Sequence, residues 1–421
     1  MPTSPHSWKH YKESEHRIAT GTSTMSKRPR FEPEEPCYIA HGAGCRVWDI
    51  DGREFIDFRN ALGPITLGYC FPAVDAAIRA QLNQGIIFGH PTLLEAEVAE
   101  LLIAAIPCAE KVRYLKTGGE AMAAAFKVAR AATGRDIILQ CGYNGWLNSL
   151  ASGGAVLPGV RQDAPLGVPS DIAKLHRMLP WGDLAPWEQT FQELDGRIAG
   201  AAVAMDYFAP EKAKDFVRGL RGLTQRHGAV LMIDEIVTGF RIARGGLHEY
   251  CGVNADLAVF SKGIANGMPL SVLAGKAHLL DVIEKAPISS TFSGETLSLA
   301  AARAAITTYR NNDVIGHLAR TGKRFQGGLN DLFKQRNYPL ECVGLPSCMA
   351  LRVALQRVLP QLLSHRPRYR RSLGPPRQSH GRSCITPSTP ALDERRPATT
   401  PAIPTGAAGG LQWRYPTGDP P

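Results

Sequence analysis

The segment AVLMIDEIVTGFR (229–241) opens with a short apolar run that ends at Asp234, and DLAVFSK (256–262) opens with another that ends at Lys262. Apolar runs of roughly four to eight residues between polar or turn residues are typical of strands buried on both faces. Three further strand-like runs are VRYLKT (112–117), DIILQC (136–141) and AAVAMDY (201–207). Helical patterns follow the first of these at 120–133 and the last at 211–227. This alternation predicts an α/β fold in which a mostly parallel sheet is covered by helices.

Composition and local signals predict five parts along the 421 residues. They are an N-terminal arm (1–35), the hairpin segment of a small domain (36–75), a large domain that contains the sheet (76–310), the start of a C-terminal small domain (311–355) and a tail (356–421). Asp51-Gly52 between β-rich residues is a strong hairpin signal. The capping box Thr92-x-x-Glu95 predicts an apolar helix that Pro107 ends.

The formal net charge of +10 is concentrated near the C-terminus. Residues 356–421 contain ten Arg, no Lys and three acidic residues, so they carry +7 and the preceding residues only +3. The part expected to fold is nearly neutral, which argues against a nucleic-acid-binding protein. Residues 356–421 also contain twelve Pro and show no apolar periodicity, so we expect them to be disordered.

The nine Cys are scattered, without a Cys-x-x-Cys pair or a Cys/His cluster. This pattern argues against a structural metal and a disulfide framework, and it favours a reducing, cytoplasmic compartment. No segment approaches the roughly 18 consecutive apolar residues of a membrane span, and the N-terminus has charges where a signal peptide needs an apolar run. We therefore expect no membrane association.

The polar residues that follow the predicted strands suit one cofactor, because parallel strands bind ligands at the edge where they end. These residues are Asp234, Lys262, Gly118-Gly119 and Gly142-Tyr143. An amine that condenses with an aldehyde, an acid for a pyridinium nitrogen, a helix N-terminus for phosphate and an aromatic face for stacking are what pyridoxal phosphate requires. Each residue alone is more often a solvated charge, a helix cap or a turn residue. Their joint position at strand ends favours the cofactor site.

These residues lie in motifs that resemble the class III aminotransferases, closest to the glutamate-1-semialdehyde aminomutase-like branch, over about residues 31–350. MIDEIVTGFR (232–241) is similar to the family's strand that ends in Asp-Glu. FSKGIANGMPLSVLAGK (260–276) resembles its lysine motif, and LKTGGEAMAAAFKVARAATGR (115–135) resembles its phosphate-binding turn and helix. The resemblance implies a fold of type I, in which the large domain (76–310) carries pyridoxal phosphate.

The resemblance also implies a role for individual residues. Lys262 holds the cofactor as a Schiff base, Asp234 pairs with the pyridine nitrogen, and Ile236 packs against one ring face. STFSGETLSLAAA (290–302) matches the place where the family supplies a Thr, here Thr291, to the phosphate bound in the partner subunit. A homodimer is therefore expected, with a small amino donor and a carbonyl acceptor as substrates.

The activity implied is amino-group transfer between two molecules, with an aminomutase that moves the group within one molecule as an alternative. Three positions depart from the family pattern: Gly119 replaces Ser or Thr, Asn144 replaces His, and Asp206-Tyr207 replaces Glu-Pro. The last two indicate a substrate other than glutamate semialdehyde. A third reading is an inactive relative whose second domain is incomplete.

The resemblance ends near Leu355, although relatives continue there with the elements of a small domain. Three explanations of 356–421 stay open. The segment is an out-of-frame reading of a GC-rich gene, a genuine disordered tail, or an anion-binding tail.

Overall fold

The computed structural model describes residues 4–147, 149 and 165–353. The predictions for 356–421 lie outside the described residues. The helices are α1 (Pro5–Ser14), α2 (Pro72–Leu82), α3 (Leu93–Ala105), α4 (Gly118–Thr133), α5 (Ser170–Ala173), α6 (Ala185–Glu193), α7 (Ala213–Arg226), α8 (Leu247–Cys251), α9 (Ala277–Leu280), α10 (Thr296–Asn311) and α11 (Val314–Gln335).

The strands form three sheets in the described residues. They are β1 (Ile39–Ala43), β2 (Arg46–Asp49), β3 (Glu54–Ile56), β4 (Lys111–Leu115), β5 (Ile137–Cys141), β6 (His176–Met178), β7 (Ile198–Ala204), β8 (Val230–Asp234), β9 (Leu257–Phe260), β10 (Ser271–Gly275), β11 (Leu340–Leu345) and β12 (Cys348–Val353). The central sheet has seven strands in the order β4-β10-β9-β8-β7-β5-β6. The other two sheets are β1-β2-β3 and β11-β12.

The central sheet is mostly parallel, as predicted. The pairs β5-β6, β5-β7, β7-β8 and β8-β9 are parallel, whereas β10 is antiparallel to both of its neighbours, β9 and β4. Because β4 is reversed relative to β10, it runs in the same direction as β9. The carboxyl ends of β4, β5, β7, β8 and β9 therefore share one edge, which confirms the predicted fold class and gathers the residues that follow these strands.

Alternate residues of each central strand pack into apolar layers on opposite faces of the sheet. In β8, Val230 and Met232 contact the layer that contains α4, and Leu231 and Ile233 contact the layer that contains α7 and α10. This division follows from the period of two in a strand, and covering both faces explains why the strand sequences are continuously apolar. The rigid, buried sheet thus fixes the positions of the loops at its edge.

The sequence predicted an aperiodic arm over 1–35, but the structure contains α1 there. Trp8 and Tyr11 are buried on one side of this short helix. Ser4 donates a hydrogen bond to Asp49, and the backbone N–H of Ser7 donates to Asp51 at 3.0 Å. The pattern was missed because two aromatic residues three positions apart are too few to establish a helical period.

Two local predictions are confirmed. The hairpin around Asp51-Gly52 forms between β2 and β3, with Trp48 paired to Glu54. The capping box of Thr92 and Glu95 opens α3. No helix in the described residues is long and apolar enough to cross a membrane.

Candidate active site

Asp234 and Lys262 lie at the shared carboxyl edge of the central sheet. Asp234 is the last residue of β8, and Lys262 begins a short turn (Lys262–Ala265) two residues after β9. Electrostatic interaction links the two side chains. No hydrogen bond or ion pair within 4.0 Å joins them in the described part of the chain. A buried acid and an amine thus interact electrostatically without a direct hydrogen bond or ion pair in the described residues.

Asp234 is a buried carboxyl with few compensating partners. Its side chain is only 7% exposed, and the backbone N–H of Ile236 donates to its Oδ1 at 2.9 Å. Burial raises the pKa of Asp234 to about 7, while the Ile236 hydrogen bond and the charge of Lys262 oppose this rise. A cationic group placed against this carboxyl would favour its ionised form.

Lys262 is half-buried, in a backbone conformation with φ of 49°. Burial lowers the pKa of its amine; the carboxylate of Asp234 counteracts this effect, and the guanidinium of Arg241 adds to it. A neutral lysine amine is a nucleophile and a base, whereas an ammonium is neither. The site therefore favours the reactive form of Lys262.

The N-terminus of α4 presents free backbone donors beside these residues. Thr117 caps the helix in a capping box with Glu120, which accepts a hydrogen bond from the Thr117 N–H at 2.7 Å. In the described residues, the N–H groups of Gly118 and Gly119 have no acceptor. Free N–H groups and the positive end of the helix dipole together form a site for an anionic group.

Gly118 and Ile236 are in close contact. A Cβ atom built on Gly118 would lie 2.4 Å from Cδ1 of Ile236, so a larger residue at position 118 would displace this side chain. A Cβ on Gly119 would have no atom nearer than 3.8 Å, from Leu147. Ile236 therefore joins the end of β8 to the start of α4.

Tyr143 follows β5 and is exposed, with 61% of its surface accessible. The turn before it requires Gly142, whose φ is 76° and whose added Cβ would lie 2.8 Å from atoms of Ala204 at the end of β7. The next residue, Asn144, is buried and donates to Gln140 Oε1 at 3.0 Å. Asn144 thus anchors the backbone beside the free Tyr143 ring.

Thr291 belongs to a different segment from the other predicted site residues. It is exposed, in the segment before α10, where the Ser293 N–H donates to the Ser290 carbonyl at 3.2 Å. No hydrogen bond connects Thr291 to Asp234, Lys262 or the start of α4 in the described residues. Six of the seven predicted site residues therefore lie at or near one sheet edge, and the seventh forms no hydrogen bond with them in the described residues. The histidine, cysteine and acidic side chains of the described residues form no cluster that could hold a metal ion.

Comparison with known proteins identifies the family. The family described as aminotransferase class III matches residues 29–163 and 208–345, which is more than half of the chain. The chain belongs to the class III aminotransferases.

Relatives of this class III aminotransferase include two enzymes named glutamate-1-semialdehyde 2,1-aminomutase. The one from Persephonella marina is 32% identical over 343 residues, covering 78% of this chain and 79% of the relative. The one from Natranaerobius thermophilus is 35% identical over 301 residues, covering 69% of each. These matches confirm the predicted family and its aminomutase-like branch.

Solved structures agree with the family assignment. An ω-transaminase from Sphaerobacter thermophilus has a TM-score of 0.74 and 25% identity to this class III aminotransferase, covering 82% of each chain. A transaminase solved with pyridoxal phosphate bound has a TM-score of 0.77 and 25% identity, covering 83% of this chain and 84% of its own. The fold is therefore that of the transaminases.

Sequence reasoning gave no role to Arg241 or Cys348, and it singled out Tyr207 only as a departure from the family pattern; all three lie near Asp234 or Lys262. The guanidinium of Arg241 interacts electrostatically with Lys262. Burial raises the pKa of the Tyr207 phenol, and the nearby Cys348 and Asp234 add to the rise. Arg241 belongs to the TGFR motif that resembles the family, and this motif was the available signal. Cys348 comes from β12, for which the sequence gave no comparable signal.

Proposed function

We propose that this protein transfers an amino group between a small donor amine and a small carbonyl compound, with pyridoxal phosphate bound covalently to Lys262. The observation that carries the proposal is that Asp234 and Lys262 interact electrostatically at the carboxyl edge, while no hydrogen bond or ion pair joins them in the described residues. A buried carboxyl without a cationic partner is costly unless a ligand supplies the positive charge. Membership of the class III aminotransferases supports the same cofactor.

The proposed cofactor contacts follow from the chemistry of each group. Asp234 would face the pyridine nitrogen, and the N–H groups of Gly118 and Gly119 would hold the phosphate. Ile236 would cover one face of the ring and Tyr143 the other. The contact between Ile236 and Gly118 supports this fit, because one side chain then borders both the phosphate and the ring.

When bound, pyridoxal phosphate supplies an aldehyde that condenses with amines and a ring that accepts electrons. Once displaced by the substrate amine, the neutral amine of Lys262 would serve as the base that takes a proton from the substrate α-carbon. The lowered pKa of Lys262 keeps this base unprotonated nearer to neutral pH. As a carboxylate, Asp234 would keep a proton on the ring nitrogen and so strengthen the ring as an electron acceptor.

We also propose a homodimer in which Thr291 binds the phosphate of the partner subunit. The exposure of Thr291 supports this role, as does the lack of any hydrogen bond from it to Asp234, Lys262 or the start of α4 in the described residues. We also propose two domains, a large one over 76–310 and a small one formed by 36–75 and 311–355. The sheets β1-β2-β3 and β11-β12, which are separate from the central sheet, support this division. The described Cys are all free, which supports a cytoplasmic location.

An aminomutase is a second candidate, favoured by the names of the relatives at 32% and 35% identity. It differs from a transaminase in needing one substrate instead of a donor and an acceptor. Asn144 and Tyr207, which replace residues typical of the family, favour the transaminase.

Transfer assays test the proposal and separate the two candidates. The full chain, supplied with pyridoxal phosphate, is incubated with pairs of amino donors and carbonyl acceptors, and separately with glutamate-1-semialdehyde alone. We expect new amine from a pair only when both members are present, and no turnover in Lys262→Ala. Turnover of the single compound with no transfer between pairs would favour the aminomutase. If neither reaction occurs although the cofactor is bound, the proposed activity is wrong.

A further inference from the structure

Residues 60–62 have a strained backbone. Asn60, Ala61 and Leu62 have φ values of 50°, 48° and 71°. This left-handed conformation is unfavourable for residues other than glycine, and somewhat less so for Asn. Such a segment persists only where the surrounding structure holds it in place. Residues 60–66 are here called the 60–66 loop. The contacts made by the residues after Leu62 therefore help to hold this loop in its strained conformation.

One guanidinium attaches the 60–66 loop to the segment that follows β8. Arg241 Nη2 donates to the carbonyl of Gly63 and, at 3.1 Å, to Oγ1 of Thr66. Arg241 Nε donates to the carbonyl of Val237 at 3.1 Å. A planar guanidinium with several fixed donors can bridge such a set of acceptors, which a lysine ammonium cannot do in the same geometry.

The 60–66 loop packs directly on Lys262 and the residue after it. A Cβ on Gly63 would lie 3.3 Å from Cδ of Lys262, and a Cβ on Gly263 would lie 2.8 Å from Oγ1 of Thr66. A cavity of about 650 Å³ borders the loop and is lined in part by Asn60 and Thr66. The loop therefore has open volume into which it can relax if its attachment is removed.

We propose that Arg241 is a positioning residue, which holds the strained 60–66 loop against Lys262 and so fixes one wall of the reaction pocket. This inference rests on the proposed role of Lys262. Arg241 would act through the loop and through its charge, and it need not contact the substrate.

The charge of Arg241 gives the inference a second, separate consequence. Three groups face the Lys262 amine: the carboxyl of Asp234 from β8, the guanidinium of Arg241, and the thiol of Cys348 from β12. A cation beside an amine disfavours its protonation. Replacing Arg241 by a neutral residue should therefore raise the pKa of Lys262. Replacing it by lysine keeps the charge but removes the planar guanidinium, so it should loosen the 60–66 loop without this change in pKa.

The experiment compares Arg241→Gln and Arg241→Lys with Arg244→Gln, a control at an exposed position of the same segment. Hydrogen exchange of the full chain is measured with and without pyridoxal phosphate, and competitive acylation with acetic anhydride across pH gives the titration midpoint of Lys262 without cofactor. We expect about tenfold faster exchange over residues 60–68 in both Arg241 variants. Only Arg241→Gln should shift the Lys262 midpoint upward, because only this variant removes the cation beside the amine.

Thr66→Val provides a second variant that removes one acceptor of Arg241 and should give a smaller increase in exchange over the same residues. The inference is overturned if both Arg241 variants and Thr66→Val show the same hydrogen-exchange rates over residues 60–68 as the Arg244→Gln control. An unchanged Lys262 midpoint in Arg241→Gln would overturn its electrostatic part. Both readouts are obtained without the cofactor, so they stand even if the cofactor is later found on another residue.

Discussion

Replacing Asp234 by Asn should stabilise the cofactor-free protein at pH 8 and weaken its binding of pyridoxal phosphate. Burial raises the pKa of Asp234 to about 7 in the folded chain, against about 3.9 in an unfolded one. Between these values the folded state binds a proton that the unfolded state does not, so the free energy of unfolding falls as pH rises from about 4 to 7. Well above pH 7 Asp234 is ionised in both the folded and the unfolded state, so the reduction in the free energy of unfolding no longer changes with pH.

The size of the effect follows from the two pKa values. Each pKa unit corresponds to about 1.4 kcal/mol, so the cost of the buried carboxylate is about 1.5 kcal/mol at pH 5 and about 4 kcal/mol at pH 8. The neutral amide that Asp234→Asn introduces avoids this cost and can still accept the Ile236 hydrogen bond. The stability gained by Asp234→Asn should therefore grow by roughly 2 to 3 kcal/mol between these pH values.

Urea unfolding of the full chain without cofactor, followed by circular dichroism at pH 5 and pH 8, measures this difference. Asp331→Asn, at an exposed position of α11, is the matched control and should show no such growth. Titration with pyridoxal phosphate should give weaker binding by Asp234→Asn, because the amide no longer favours a protonated ring nitrogen. A gain in stability that is equal at both pH values, or unchanged cofactor affinity, would refute the reasoning.

Two further predictions concern groups beside the site. In an absorbance titration, Gly119→Ser should bind pyridoxal phosphate more tightly, because its Cβ has no neighbour closer than 3.8 Å and its hydroxyl adds a donor. Gly118→Ser should bind the cofactor more weakly, because its side chain displaces Ile236. Equal affinities in both variants would contradict this placement of the phosphate. Burial opposes protonation of His248, but the neighbouring Cys108 and Glu235 outweigh it and raise the pKa of His248 to about 10. Protonated His248 therefore stabilises the fold below about pH 6.5 and loses this contribution as pH rises through 10. Glu235→Gln should destabilise the protein by about 3–5 kcal/mol at pH 6 and by less at pH 10 in denaturant titrations, and an equal loss at both pH values would show that His248 is neutral.

The fold class and the Asp234 and Lys262 positions could be predicted because they depend on local patterns. Apolar runs alternating with helical patterns indicate a covered sheet, and the residues that end parallel strands must meet at one edge. Strand β10 was not predicted, and its antiparallel direction could not have been, because an apolar strand has the same sequence pattern in either direction. β6 was missed because it has only three residues.

The long-range contacts of the site were beyond prediction from one sequence. Arg241 lies in a predicted motif, but its contacts with Gly63 and Thr66 connect residues more than 170 positions apart. Ala61 and Leu62 adopt left-handed backbone conformations although neither residue type favours them. Tertiary contacts decide such features, and no local propensity signals them.

The central claim is that Lys262 forms the covalent bond to the cofactor. The most direct measurement is borohydride reduction of the full chain with pyridoxal phosphate, followed by digestion and mass spectrometry of the labelled peptide. The account predicts that the label is on Lys262 and that Lys262→Ala is not labelled at this site. A label on Lys116 or any other lysine, with Lys262 unmodified, would contradict it.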